Sequence, residues 1–304
     1  MKRLAHLGVL AGLVSSLWLA PALSRYDTAT ALPEEQVLRI LNNVPIFMIT
    51  NDKGEPLTFE MPNPQDRNKK IQVFTFFVNQ QDAQTALNGI KTQQPEVGRV
   101  ARVSAAALSG AVKIALESQK NPAIGVDIVP SRPQLEAAVN LLKQSGDLVE
   151  RDGKILTKDG QPFMGGTPLF FLADSKTGNP IAVEAQMREN GQTRTQRFIP
   201  FYFDKTQLQR EVDQARQQRP ELVKDTGIRV VMLDNLVATM LSTNDPVAGQ
   251  IQLVQTPEAI QFAVQQSSGN NAQRPNPANQ PASPQRSNQQ GGSAGSNQGT
   301  NRKR

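Results

Sequence analysis

The sequence contains no cysteine, and its only histidine is His6. Without a thiol or a second histidine, the chain beyond residue 6 cannot form a Ser-His-Asp or Cys-His catalytic site. The same absences exclude a disulfide, a structural zinc site of the usual kind and a c-type haem attachment site. We therefore predict no catalytic residue, no metal site and no cofactor.

Glycine-rich nucleotide-binding motifs are also missing. There is no Gly-x-Ser-x-Gly nucleophile elbow either, because the one match to that spacing, at residues 291–295, lies in the Gln/Asn/Ser-rich end and follows no predicted strand. One enzymatic alternative stays open, because two distant carboxylates can hydrolyse a glycoside. Asp82, Glu136 and Asp204, however, fall where solvated helix surface or helix caps account for acidic residues. We predict that the chain is not an enzyme, with a carboxylate-dependent hydrolase as the unfavoured alternative.

The net charge of +6 comes from the two ends of the chain. Residues 1–24 hold two basic residues and no acid, and residues 267–304 hold five basic residues and no acid, which leaves one net negative charge for residues 25–266. A nucleic-acid-binding domain usually carries a basic face. We therefore expect no nucleic-acid partner.

An internal repeat organises the chain. The segment 44–57 returns as 167–181, with its turn glycine shifted by 124 residues from Gly54 to Gly178. Further features return with a shift of 125: Pro95-Glu96 as Pro220-Glu221, and Val129, Leu135 and Val139 as Val254, Ile260 and Val264. A unit of about 120 residues is too long for a solenoid repeat. We predict an α+β fold of two pseudo-twofold-related halves, each with a mixed sheet packed on helices.

The predicted organisation follows from this repeat and from composition. Charged residues followed by a short apolar run are typical of a secretory signal, with cleavage after Ser24 or Ala31. The Gln/Asn/Ser-rich end cannot offset the entropy of ordering. The predicted segments are a signal peptide (1–24), a first repeat (25–143), a linker (144–166), a second repeat (167–266) and a disordered basic tail (267–304).

Local patterns predict individual elements. Asp204 and Ser131 are each expected to cap a helix, with Gln207 and Gln134 three places on. Pro200 interrupts an apolar strand and predicts an edge or a bulge there. We also predict a short strand over Arg99–Val103 and a helix over Ala105–Glu117.

Apolar residues are the remaining candidates for a binding surface. Aromatic and methionine side chains suit the recognition of varied apolar segments. Phe163 and Met164 precede Gly165-Gly166 in the predicted linker, where deep burial is unusual. The phenylalanines of the strands, Phe201 and Phe203 among them, fit a core as well as a groove. The candidate polypeptide-binding residues are Phe163, Met164, Phe201 and Phe203.

Four ordered segments resemble the family of the twenty-two-kilodalton Tic component of the chloroplast inner-envelope translocon and its cyanobacterial relatives. They are 44–47, 77–83, 167–171 and 200–208, within residues 33–266. The resemblance implies a two-half α+β fold with hydrophobic grooves. It also implies a soluble chaperone-like factor that acts between two membranes.

From the residues and this resemblance we expect a periplasmic polypeptide-binding factor in protein translocation or outer-membrane protein biogenesis, with the thylakoid lumen as a second location. The expected partners are unfolded precursor or outer-membrane proteins and components of a translocon or assembly complex, with peripheral membrane association as a further expectation. The main alternative is a non-catalytic scaffold of such a complex. A contiguous exposed apolar groove would favour the chaperone-like role.

Overall fold

The structure is a computed structural model, and it describes residues 18–19, 32–63, 66, 68–189, 192–242 and 246–272. The chain divides into two units, Met1–Gln266 and Ser267–Arg304. Of the second unit, residues 267–272 are described, and they are helical. The predicted signal peptide lies outside the described residues except for Trp18–Leu19, and so does the predicted tail beyond residue 272.

The first half of the chain alternates helices and strands. In order, the elements are α1 (Glu34–Asn42), β2 (Pro45–Thr50), β3 (Thr58–Pro62), β4 (Lys70–Phe77), α2 (Gln80–Gln93), α3 (Pro95–Val100), β5 (Arg102–Ala107), α4 (Leu108–Ser118), β6 (Ile124–Val129) and α5 (Arg132–Gln144), preceded by the two-residue β1 (Trp18–Leu19). A hairpin of β7 (Leu148–Arg151) and β8 (Lys154–Thr157) follows.

The second half has a similar order. Its elements are β9 (Pro168–Asp174), β10 (Val183–Glu189), β11 (Gln192–Tyr202), α6 (Lys205–Gln218), a 3₁₀-helix (Pro220–Leu222), β12 (Thr226–Met232), α7 (Leu233–Ser242), a second 3₁₀-helix (Pro246–Gln250), β13 (Ile251–Val254) and α8 (Pro257–Ala272).

Two sheets of the same strand order form the framework. In the first sheet the order is β3-β4-β2-β5, and β6 pairs parallel with β4. In the second the order is β10-β11-β9-β12, β13 pairs parallel with β11, and β1 adds to the edge at β10. The predicted α+β class, with mixed sheets packed on helices, is confirmed. The pseudo-twofold relation between the halves stays a prediction.

One hydrophobic core is shared by the two halves. Side chains from both sheets and from α1, α4 and α7 pack together, including Ile46, Phe76, Leu108, Leu169, Phe201, Leu233 and Met240. Burial of such side chains contributes roughly 1.5–3 kcal/mol each. The halves are therefore one packed body rather than two separate cores joined by a linker.

Matching caps start the helices that follow the central strands. Asn79 Oδ1 accepts from the Gln81 N–H at 2.7 Å at the start of α2. Asp204 Oδ1 accepts from the Gln207 N–H at 2.9 Å at the start of α6, which confirms the predicted cap. The predicted cap at Ser131 is wrong, because its side chain makes no capping bond. Gln134 instead bonds to the start of α6, which only the tertiary packing brings near.

Pro200 lies at a break in the antiparallel ladder of β11. Phe198 is in register with Val183 of β10, and Tyr202 with Phe170 of β9. Between them Pro200 is in register with Gln252 of β13 alone. A residue without an N–H is tolerated at such a break.

Two predicted boundaries are wrong. The strand predicted at Arg99–Val103 instead begins at Arg102, after the short helix α3, which starts with Pro95 in its first turn. The helix predicted from Ala105 begins at Leu108, because Ala105–Ala107 pair with β2. Alanine favours helices locally, but the strand register decides these three residues. The predicted linker 144–166 contains the β7-β8 hairpin.

Candidate polypeptide-binding groove

An apolar groove runs between α4 and α7, with a volume of about 350 Å³. Each helix turns an apolar stripe towards it, part of which belongs to the shared core and part of which is half-buried. These stripes follow the helical spacing of i, i+3 or i+4. The residues on the two sides are Val112, Ala115 and Leu116 of α4, and Leu233, Val237 and Leu241 of α7.

The floor of the groove is held by hydrogen bonding and by a glycine. The Thr167 hydroxyl donates to the Ile128 carbonyl oxygen at 2.7 Å, which ties the start of β9 to β6. Gly166 has a φ of +139°, and a Cβ there would lie 3.3 Å from Met232 Sδ. A side chain at residue 166 would therefore be strained and crowded.

Two carboxylates line the groove, and no basic side chain does. These are Asp127 of β6 and Asp234 of α7, and neither forms a salt bridge within the described parts of the chain. Partial burial raises the pKa of the Asp127 carboxyl, because the charged form loses hydration. The groove is thus apolar with an acidic margin.

The four residues predicted from sequence do not form one site. Met164 is 91% exposed, whereas Phe163 is half-buried against the cluster around Tyr202 and Leu208. Phe201 and Phe203 are each 3% exposed and belong to the shared core. None of the four lines the groove, although Met164 is two residues from Gly166, which does.

Phe203 instead borders a polar cavity of about 360 Å³, where α2, α5, α6 and α8 begin. Gln134 Nε2 donates to Asp204 Oδ2 at 2.9 Å, and Gln134 Oε1 accepts from the Lys205 N–H at 2.9 Å. Gln255 is 4% exposed and donates from Nε2 to the Pro45 and Val78 carbonyl oxygens at 2.8 and 3.2 Å. The hydrogen bonds beside this cavity join the two halves.

Sequence reasoning identified α4 and α7 as helices but not as the walls of a groove. Their patterns contained the signal, because α4 places apolar side chains at Ala115 and Leu116 in addition to the core residues Leu108, Ala111 and Val112. Such a wide apolar face exceeds what one packing partner covers. Only the tertiary structure shows that these further apolar residues stay half-buried beside a groove.

The described residues offer neither a metal site nor a membrane-spanning helix. No group of three or more metal-ligating side chains occurs among them. In the same part of the chain, no helix has the length and apolar character needed to cross a bilayer.

One family model and two solved structures are similar to this chain. The model of the Tic22-like family matches residues 15–264. The fold is similar to that of Tic22 from Anabaena, a structure described under protein transport, with a TM-score of 0.59 and 22% identity over 77% of this chain and 97% of that one. It is also similar to Tic22 from Plasmodium falciparum, with a TM-score of 0.53 and 19% identity over 77% and 98% of the two chains. No curated protein matches.

Proposed function

This chain belongs to the Tic22-like family, and we propose that it takes part in protein transport by holding apolar segments of unfolded polypeptides in the groove between α4 and α7. The observation that carries the proposal is the groove, which is lined by partly exposed apolar side chains of both helices: Ala115 and Leu116 of α4, and Ala238 and Leu241 of α7. Exposed contiguous apolar surface in a folded protein is typical of a binding site. The description of the Anabaena structure under protein transport supports the same role.

Holding requires no chemistry on the bound segment. Burying one Leu-sized side chain of a client in the groove gains about 1.5–3 kcal/mol, and a segment that buries several would be held reversibly. Asp127 and Asp234 at the margin favour segments that carry a basic residue beside the apolar ones. We therefore propose a non-enzymatic factor without a cofactor.

Location and clients belong to the same proposal. The charged start and apolar run of residues 1–24 support export to the periplasm, with the thylakoid lumen as the second location. Unfolded precursors and outer-membrane proteins are the clients expected there, and translocon or assembly components the expected partners. Fractionation of cells that express the full chain tests the location, and recovery in the cytoplasm alone would contradict it.

The test of holding uses a variant that fills the groove without removing core. Ala238 is exposed on the α7 wall of the groove, so Ala238→Trp places a large side chain inside it. Asn235→Trp is the matched control, since Asn235 is exposed on the same helix but does not line the groove. Light scattering is followed while a denatured outer-membrane β-barrel protein is diluted into buffer.

We expect the wild type and Asn235→Trp to suppress aggregation near stoichiometrically, and Ala238→Trp to need about tenfold more protein, which corresponds to about 1.4 kcal/mol. Equal suppression by all three proteins would show that the groove is not the site. If the wild type fails to suppress aggregation, holding itself is refuted. A non-catalytic scaffold of a translocon or assembly complex then becomes the favoured function.

A further inference from the structure

The outer edge of β5 is closed by a glutamine side chain. Gln266 Oε1 accepts from the Ala105 N–H at 2.6 Å, and Gln266 Nε2 donates to the Val103 carbonyl oxygen at 3.5 Å. A side-chain amide thus occupies the place of a neighbouring strand. Unpaired edge groups are otherwise a template for pairing with another chain.

The outer edge of β12 is the counterpart of this edge in the second half. The Leu108 N–H donates to the Val44 carbonyl after β5, and the Leu233 N–H donates to the Thr167 carbonyl after β12. The two donors, Leu108 and Leu233, are 125 residues apart, so Ile228 and Val230 correspond to Val103 and Ala105.

Hydrogen bonding along β12 shows which groups point outwards. In an antiparallel pair, residues alternate between bonding to the partner strand and facing away from it. The flanking bonds, from Ser175 N to Asp225 O and from Leu233 N to Thr167 O, place the odd-numbered residues of β12 towards β9. The main-chain groups of Ile228 and Val230 therefore face outwards, and no described residue bonds to them.

The residue of the first half that corresponds to Gln266 cannot hydrogen-bond to the edge of β12. Subtracting 125 from 266 gives residue 141, which is a leucine on α5. Leu141 lines a cavity of about 260 Å³ together with residues 227–230. Its side chain has neither a donor nor an acceptor, so Leu141 packs in the same apolar cluster as Ile228 and Val230 without bonding to their main-chain groups. The adjoining cavity gives these groups access to a ligand.

We propose that the outer edge of β12 binds an extended segment of an unfolded polypeptide by adding it as a further strand. The outward N–H and C=O groups of Ile228 and Val230 are spaced to pair with an extended main chain, and the adjoining cavity can take one of its side chains. The proposal rests on the proposed function in taking an unfolded polypeptide as the ligand. It assigns a second site, which binds the main chain of the polypeptide, whereas the groove binds its apolar side chains.

The test measures the binding of a fluorescent peptide of about eight residues with alternating valine and threonine, a length typical of a strand. A second peptide has the same side chains and N-methylated amides, which cannot donate hydrogen bonds. Fluorescence anisotropy with the full-length protein should show at least about tenfold weaker binding of the methylated peptide. Equal affinity for the two peptides would overturn strand addition.

Variants of the chain locate the site. Leu141→Gln supplies the amide that Gln266 supplies to β5, and Ile228→Pro removes an outward N–H without touching the ladder to β9. Each should weaken binding of the unmethylated peptide about tenfold, with thermal unfolding confirming that the variant is folded. If every variant that folds binds like the wild type, the site is refuted. Gln266→Leu should open the edge of β5 and raise the stoichiometry from one peptide to two.

Ala238→Trp separates this site from the groove. It should leave peptide affinity unchanged while client holding falls, and a parallel loss of both would mean that the peptide occupies the groove instead. Amide exchange followed by NMR gives a readout that needs no variant. The Ile228 and Val230 amides should exchange fast in the free protein and slow down with peptide, whereas Ala105 should be slow throughout. Fast exchange at Ile228 and Val230 in saturating peptide would contradict strand addition.

Discussion

Gln255 joins the two halves of the molecule through hydrogen bonds to main-chain carbonyl oxygens. Its amide follows β13 in the second half and donates to the Pro45 carbonyl at 2.8 Å and the Val78 carbonyl at 3.2 Å in the first. The Thr256 N–H donates back to Gln255 Oε1 at 3.1 Å. The side chain is 4% exposed, so water cannot readily replace it.

Replacing Gln255 with methionine keeps the shape of the side chain and removes the hydrogen bonds. Leaving a buried carbonyl without a donor costs about 1–3 kcal/mol. Two carbonyls are affected, so we expect the free energy of unfolding to fall by about 3 kcal/mol or more. Urea unfolding followed by circular dichroism measures this loss, provided that the m-value is unchanged.

Gln252→Met is the matched control, because Gln252 is exposed on β13 three residues earlier. Its free energy of unfolding should change by less than about 0.5 kcal/mol. If Gln255→Met also lost less than about 1 kcal/mol, the bridging amide would not be what joins the halves. The apolar core that they share would then account for their association.

Three further predictions concern single residues. Thr167→Val removes the donor to the Ile128 carbonyl beneath the groove and should lower the free energy of unfolding by about 1–3 kcal/mol, whereas an unchanged melting temperature would refute that role. Hydrogen bonds from the Thr177 N–H and hydroxyl lower the pKa of Asp174. The stabilising effect of the Asp174 carboxylate should therefore be present above its unfolded-state pKa and be lost as the pH falls through its folded-state pKa. An ordinary carboxyl pKa for Asp174 in an NMR titration would contradict this. Met164→Ser should change the free energy of unfolding by less than about 0.5 kcal/mol, and a loss of client holding in the same variant would support a binding role for Met164.

Local sequence was sufficient to predict a structural feature wherever a few neighbouring residues determine it. Asp204 and Gln207 form the predicted cap, since the donor and acceptor are three residues apart on one turn. The break at Pro200 follows from a missing N–H, which no packing can restore. The order of helices and strands in each half is likewise carried by periodic apolar residues.

Contacts between distant segments determine the features that local sequence did not predict. Ala105–Ala107 extend a strand because β2 supplies their hydrogen bonds, although alanine alone favours a helix. Gln134 bonds to Asp204, seventy residues away, instead of completing the cap predicted at Ser131. Phe201 and Phe203 are core residues because strands from both halves cover them, which their apolar pattern alone could not distinguish from a groove.

The sequence by itself determined the α+β class, the repeat with its nearly constant offset, and the absence of cysteine and of any histidine beyond His6, because composition and periodicity are properties of the chain alone. The tertiary structure decided that the halves share one core and that α4 and α7 leave an apolar groove open. It also decided that a glutamine bonds to one sheet edge, whereas the leucine at the corresponding position cannot bond to the other. Exposure depends on which distant surfaces meet, and no local pattern contains that information.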